Sequence, residues 1–320
     1  MRQENRDILL NLIKQHQDLG ISKQIDFEKF YLYSIITHST AIEGSTVTEV
    51  EAQLLFDEGI TSSKRTMIEQ QMNLDLKSAY DYGRKWIMSH QPITTDWLIG
   101  LAAKVMAQTG SEYNSLGGTP SRLAAFCEQL NERRKAIDSN DIAAIYDLSF
   151  WAHFELVTIH PWADGNGRTC RLLMNLLQWE FGVLPTKVLK EDKSEYIQAL
   201  IDAREQEDIN VFLDCMARLH IQHLQSDIDQ FMNSCEEKMV DKQGLRQKMV
   251  DKWSIKPSLA DKLVDILVYL SDKETTTTDD IVSRFGFPST TAKRYLRQLT
   301  EYGYLVAHGG NRNRYYSKKK

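Results

Sequence analysis

The chain has 320 residues, 42% hydrophobic and 26% charged, with six prolines and sixteen glycines. This make-up suits a globular protein of two or three domains and excludes collagen-like, low-complexity and turn-rich all-β architectures. The net charge of −5 is divided unevenly: residues 288–320 hold eight basic residues opposed only by Glu301, a net of +7, so the rest of the chain carries about −12. No run of eighteen apolar residues is present, and residues 1–7 lack the basic start and apolar core of a signal peptide. Cys127, Cys170, Cys215 and Cys235 stand far apart with no CxxC pair, fitting neither a zinc site nor a disulfide framework. The expectation is a cytoplasmic protein in a reducing compartment, without membrane contact.

Apolar residues at helical spacing predict a mainly α fold. In chain order, helices are expected over 26–37, 49–56, 68–88, 96–108 and 122–137. Ile145, Leu148, Ala152, Leu156 and Ile159 then mark one buried helical face, and Leu172, Leu173, Leu176, Leu177 and Phe181 mark another. Gly182 and Pro185 end the second of these. Helices over 193–205 and 209–236 complete a first domain, 1–236. The polar stretch 237–258 reads as a helical linker, and no strong strand pattern precedes residue 300. From residue 259 the pattern changes, giving helices at 259–271, 278–285 and 290–302. Strands at 304–307 and 314–317 flank Gly309-Gly310-Asn311 as a hairpin. A helix, a helix–turn–helix and a basic hairpin resemble a small winged helix-turn-helix domain over 259–320. Lys293, Arg294 and Arg297 on its third helix, with Arg312 and Arg314 on the hairpin, are the candidate DNA contacts, since basic groups there can neutralise phosphates. Winged helices also serve as protein–protein modules.

The segment richest in chemistry runs from His160 to Arg171. A helix entering at Gly165-Asn166-Gly167 leaves its first N–H groups without partners, and the helix dipole adds partial positive charge there. Glycines admit a ligand close to the backbone, which makes an anion site. Arg168 and Arg171, three apart on that helix, suit a polyphosphate. Asp164 supplies the hard oxygen that Mg2+ accepts when it also holds phosphates. His160, forced out of helical geometry by Pro161, is placed to take a proton from an attacking hydroxyl.

His160-Pro161-Trp162-Ala163-Asp164-Gly165-Asn166-Gly167-Arg168-Thr169-Cys170-Arg171 resembles the motif of the Fic family, over a similarity spanning roughly residues 29–220. Trp162 stands where that family more often has phenylalanine. The resemblance implies an all-helical Fic fold and transfer of AMP from Mg2+-bound ATP to a Ser, Thr or Tyr hydroxyl of a target protein or of the chain itself, releasing pyrophosphate. It implies His160 as general base, Asp164 as Mg2+ ligand and Gly165, Asn166 and Gly167 as the anion hole. Arg168 would bind the phosphates and Arg171 would orient the γ-phosphate.

Upstream, Ser39-Thr40-Ala41-Ile42-Glu43-Gly44 resembles the inhibitory-helix motif of the same family. Ser39, Glu43 and Gly44 are its marker residues. Glu43, one turn from Ser39, would compete with the γ-phosphate for Arg171. Transfer of another phosphate-containing group, or removal of AMP with Glu43 orienting a water, is the alternative within enzymes. A DNA-binding regulator whose Fic domain senses nucleotide is the alternative outside them, and a homodimer is compatible with either. Fic proteins usually carry a β-hairpin flap before the active helix. Here residues 109–120 leave room only for an abbreviated one.

Overall fold

A computed structural model of the chain describes residues 1–110, 120–270, 273–310 and 313–319, except the side chains of 235–241. The chain divides into two compact units, Met1–Asp229 and Gln230–Lys320. The described part of the first unit is helical. It comprises α1 (Gln3–Asp18), a 3-10 turn at Ile21–Lys23, α2 (Phe27–Ile42), α3 (Glu49–Glu58) and α4 (Met67–Ile87). These are followed by α5 (Thr95–Val105), α6 (Pro120–Ala136), α7 (Ile142–Ile159), α8 (Asn166–Glu180), α9 (Lys193–Glu205) and the first turns of α10 (Asn210–Trp253).

α7 and α8 form the centre. α7 is apolar all round, long and apolar enough to cross a membrane, yet most of it is buried within the unit. α8 is buried at every residue from 168 to 178, packed against α7, α4, α5 and α2. Two of its buried polar side chains, Asn175 and Gln178, are hydrogen-bonded across to neighbouring elements. The Tyr80 hydroxyl donates to Asn175 Oδ1 at 2.7 Å, and Asn175 Nδ2 donates to the Thr186 carbonyl at 2.8 Å. Gln178 accepts from Thr186 N at 2.7 Å and donates to Ser149 Oγ at 2.9 Å. Satisfied polar groups of this kind fix a helix along its axis, where apolar contacts alone would let it slide. Around this pair, α3 and α4 begin in capping boxes, Thr48 with Glu51 and Thr66 with Glu69.

α1 was not anticipated from the sequence. Its buried Leu9, Leu12, Ile13 and His16 do follow helical spacing, but the polar turn that opens it hides the pattern. α5 ends at Val105, three residues short of the expected end. Residues 111–119, which include most of the segment read as a short flap, lie outside the described residues.

In the second unit α10 continues unbroken through residues 237–253, so the stretch read as a linker is helix. Leu245, Met249, Val250 and Trp253 on it join the core of the unit. α11 (Pro257–Tyr269), α12 (Thr278–Phe285) and α13 (Ser289–Glu301) follow, with β1 (Thr275–Thr277), β2 (Leu305–His308) and β3 (Tyr315–Lys318). The sheet is antiparallel in the order β1-β3-β2, and Tyr316 pairs with Thr276 on one side and Ala307 on the other. β1 corrects the expectation of no strand before residue 300. A three-residue run of threonines is too short to show a period of two and reads as the cap of the helix behind it. The result is a winged helix with an apolar core that includes Leu263, Ile281, Leu296, Leu299 and Tyr316.

Gly83 sets how closely α4 approaches α8. A Cβ there would stand 2.4 Å from Leu176 Cδ1 and 3.2 Å from Leu101 Cδ1, both on buried side chains. Replacing a mid-helix glycine by alanine gains about 1 kcal/mol in propensity, whereas overpacking a close-packed core costs about 1–3 kcal/mol. Gly83→Ala is therefore expected to lower the melting temperature of the first unit. An unchanged or raised melting temperature in a thermal scan would refute this packing account.

Candidate active site

His160 closes α7 in the left-handed conformation, φ 50° and ψ 60°, with its N–H on the Leu156 carbonyl at 3.1 Å. A non-glycine residue held there stores about 1–3 kcal/mol of backbone strain, and such strain persists only where the surroundings dictate the conformation. The surroundings here are Pro161, Trp162 and Asn166. Trp162 is buried in the central core. Its N–H donates to Asn166 Oδ1 at 3.1 Å, and its carbonyl accepts from Asn166 Nδ2 at 2.7 Å. These two bonds fix which way the amide points. Its remaining proton is then directed at His160 Nε2, 3.2 Å away. His160 therefore presents a lone pair at Nε2.

Gly165 enters α8 in the left-handed conformation, φ 78°, with no side-chain cap on the helix. Asp164 Oδ1 accepts from Gly165 N at 2.5 Å and lies 3.6 Å from Arg168 Nη2, with the carboxylate side chain 70% exposed. Arg168 is buried, and its Nη2 reaches Met106 Sδ at 2.8 Å. Arg171 is also buried, with its side chain 3% exposed. Its Nε donates to Ser39 Oγ at 2.9 Å, and its Nη2 donates to the Ser39 carbonyl at 3.0 Å and to Glu43 Oε1 at 2.7 Å. Glu43 caps the C-terminal end of α2, and Gly44 turns the chain away at φ 103°.

The same carboxylate sits against the mouth of α8. A Cβ on Gly167 would be 2.8 Å from Glu43 Oε1 and 3.1 Å from Arg171 Nη1. The structure thus brings Ser39, Glu43, Gly167 and Arg171 together, with His160, Asp164, Asn166 and Arg168 around the same helix entrance. Tyr196 on α9 was missed in the sequence. Its ring lies 6.0 Å from the Arg171 guanidinium, and its hydroxyl bonds to His153 Nε2 at 2.9 Å. Burial lowers the His153 pKa to about 3, with the charges of Arg171 and Arg204 adding to the effect, so the imidazole stays neutral. Asn73, Glu69 and Lys193 were also missed. Asn73 had a signal, as a polar residue on the buried stripe of α4 that continues through Leu76, Tyr80, Gly83 and Ile87.

In the second unit Lys293, Arg294 and Arg297 are exposed on α13, whose other face buries Ala292, Tyr295, Leu296 and Leu299. Arg297 is paired with Glu301 at 2.8 Å. Arg314 is exposed just before β3, and Arg312 lies outside the described residues.

Burial raises the pKa of Glu43, but the charge and hydrogen bond of Arg171, with help from Arg168 and Lys193, outweigh it and hold the carboxyl below its ordinary value. A carboxyl depressed on folding contributes stability that is complete above its unfolded value and disappears as pH falls through the folded one. Between neutral pH and about pH 3, the native chain should therefore lose more stability than Glu43→Gln. Parallel pH–melting curves for the two proteins would sink this assignment.

Sequence comparison agrees with the geometry. The Fic/DOC family profile matches residues 92–178, and the IclR helix-turn-helix domain profile matches residues 259–309. The chain is 29% identical over 195 residues to a protein adenylyltransferase Fic of Nematostella vectensis, covering 57% of this chain and 45% of that one. It is 27% identical over 250 residues to the Drosophila grimshawi protein of the same name, covering 74% and 47%. The chain thus spans about half the length of these curated relatives. Among solved structures, Fic-1 of C. elegans superposes with a TM-score of 0.61 at 22% identity, over 72% of this chain and 73% of that one. A Fic family protein of Desulfovibrio desulfuricans superposes with a TM-score of 0.61 at 17% identity, over 99% and 95%. These two likenesses are of fold. Residues 92–178 thus carry the likeness to the Fic/DOC family and residues 259–309 the likeness to a helix-turn-helix domain, in the part of the chain that folds as a winged helix.

Proposed function

We propose that this chain is a protein adenylyltransferase restrained by its own Glu43. The observation that carries the reading is the Glu43 carboxylate, lodged between Arg171 and the Cβ-less Gly167 at the mouth of α8. An anion already occupies the place that the helix dipole and a buried guanidinium prepare for one. A terminal phosphate competes for the same donors, so ATP binds productively only once Glu43 has withdrawn.

In the released state the hydroxyl oxygen of the target attacks the α-phosphorus. The bond from that phosphorus to the bridging oxygen breaks, and pyrophosphate leaves. The hydroxyl proton passes to the imidazole of His160, whose ring the Asn166 amide orients at the entrance of α8. The backbone N–H groups of Asn166 and Gly167, in the first turn of α8, would stabilise the developing charge. Arg168 and Arg171 hold the phosphates that leave.

Mg2+ fits the residues present. Among the described residues no cluster of three His, Cys, Asp or Glu side chains could cage a metal. A single exposed carboxylate, Asp164, beside a phosphate site is the donor set that Mg2+ uses with phosphates and water. Bound there, the ion would neutralise phosphate charge.

Intact-mass measurement after incubation with ATP and Mg2+ tests the reading, since AMP, UMP and phosphate add different masses. Self-modification by AMP should rise at least about tenfold in Glu43→Gly, because a competent state populated at a tenth or less becomes the main one. It should fall by about 10²-fold or more in His160→Ala within the Glu43→Gly background. Equal labelling in native and Glu43→Gly proteins, both folded, would defeat it.

For the second unit we propose contact with duplex DNA, carried by the exposed Lys293, Arg294 and Arg297 on the solvent face of α13. Arg314, exposed just before β3, lies on the wing. Each phosphate contact contributes about 0.9 to the slope of log affinity against log salt. Replacing Lys293, Arg294 and Arg297 together by alanine in the full chain should weaken binding and flatten that slope by about 3. Salt-independent or undetectable binding by the native chain would remove the proposal.

A further inference from the structure

The turn that presents Glu43 is held on both flanks by one buried side chain from another helix. Asn73, on α4, is fully buried. Its Oδ1 accepts from Thr40 Oγ1 at 3.1 Å, three residues before Glu43, in a bond whose proton the Thr37 carbonyl shares at 3.0 Å. Its Nδ2 donates to Ser45 Oγ at 3.3 Å, two residues after Glu43, and to the Glu69 carbonyl at 2.9 Å. Ser45 N returns to the Thr40 carbonyl at 3.1 Å, and Ser45 Oγ accepts from Val47 N at 3.3 Å. Thr40, Ser45 and Asn73 are all buried, so no water can replace a bond that is lost.

Ser39 and Thr40 are consecutive on α2 and divide two tasks. Ser39 faces Arg171 and Thr40 faces Asn73. Glu43 is therefore bounded on one side by the anion site and on the other by a polar anchor on α4. Two other tethers reach the same turn. Glu69 accepts from Thr46 N at 2.8 Å, and Lys193 Nζ donates to the Ile42 carbonyl at 2.7 Å. The first is exposed and the second only partly buried, so water can take the place of either partner at small cost. The weight of the anchoring falls on Asn73.

We infer that Asn73 is the positioning residue of the inhibitory segment, setting how often Glu43 withdraws from Arg171. The inference rests on the inhibitory reading of Glu43 given above and names what controls it. Asn73 touches neither nucleotide nor target. Its removal raises activity by loosening the clamp, and it has nothing to loosen once Glu43 is gone. That dependence on Glu43 separates positioning from simple structural support, because a core defect would lower activity in every background.

The test measures AMP incorporation from labelled ATP into four full-length chains: native, Asn73→Ala, Glu43→Gly and the double variant. The expected result is a five- to tenfold rise in Asn73→Ala, with the double variant matching Glu43→Gly. A tenfold rise is a shift of about 1.4 kcal/mol in the clamp equilibrium. Thr40→Val, which keeps the shape and removes one bond to Asn73, should show a smaller rise in the same direction. Its effect should be less than additive with Asn73→Ala. No rise in a folded Asn73→Ala protein, with Glu43→Gly active, overturns the inference and leaves the inhibitory reading standing. If Asn73→Ala does not fold, Thr40→Val decides, and no rise there overturns the inference equally. No rise in Glu43→Gly itself removes the inhibitory reading and this inference with it.

Discussion

A guanidinium removed from water needs an anion, and Arg171 is such a group. Its side chain is 3% exposed and lies on a helix whose every neighbour is packed. An unpaired charge at that depth is costly, whereas a charge in a hydrogen-bonded pair is tolerated. The site therefore has two stable conditions, one with the Glu43 carboxylate in place and one with a bound anion in its stead. An empty site is the disfavoured one. On the proposed reading, exchange between a protein carboxylate and a phosphate follows from the burial of that one side chain.

The first unit supports that exchange by keeping one side rigid. α8 is anchored through Asn175 and Gln178, and its entrance is fixed by the two bonds between Asn166 and Trp162. The strained backbone at His160 is held by the same residues, so His160 and the entrance of α8 are fixed to one another. α2 is secured differently. Its middle is in the apolar core through Leu32, Ile35 and Ile36, but its last turn is tied by polar contacts. Polar contacts can be exchanged one for another, while apolar burial cannot. The mobile partner in the clamp is therefore the end of α2.

Much of this was legible in the sequence because the relevant chemistry is contiguous there. Residues from His160 to Arg171 occupy one loop and one helix, and Ser39 with Glu43 occupies one helical turn, so spacing alone placed them. Helix positions followed from apolar periodicity, most cleanly at 193–205 and 278–285, where caps and composition agree. The illegible parts depend on contacts across sequence distance. Asn73 meets Thr40 and Ser45 from more than twenty-five residues away, and Tyr196 meets Arg171 only because α9 folds back over α8. β1 exists because β3 pairs with it, and nothing in three threonines announces that. The later turns of α10 are polar enough to read as a connection, and only packing against α11 residues such as Leu263 and Val264 makes them part of a core.

The missing Cβ at Gly167 has a further consequence for how this protein can change over generations. The Glu43 carboxylate comes within 2.8 Å of where that carbon would be. A phosphate approaching the same helix mouth would meet it as well. On the proposed reading, any residue other than glycine there would displace restraint and substrate together, so position 167 would offer mutation no route to an unrestrained enzyme. Routes to a more active form lie on the other side of the clamp, in the last turn of α2 and the helix behind it. Natural variants with altered activity should accumulate there, while the entrance to α8 stays fixed.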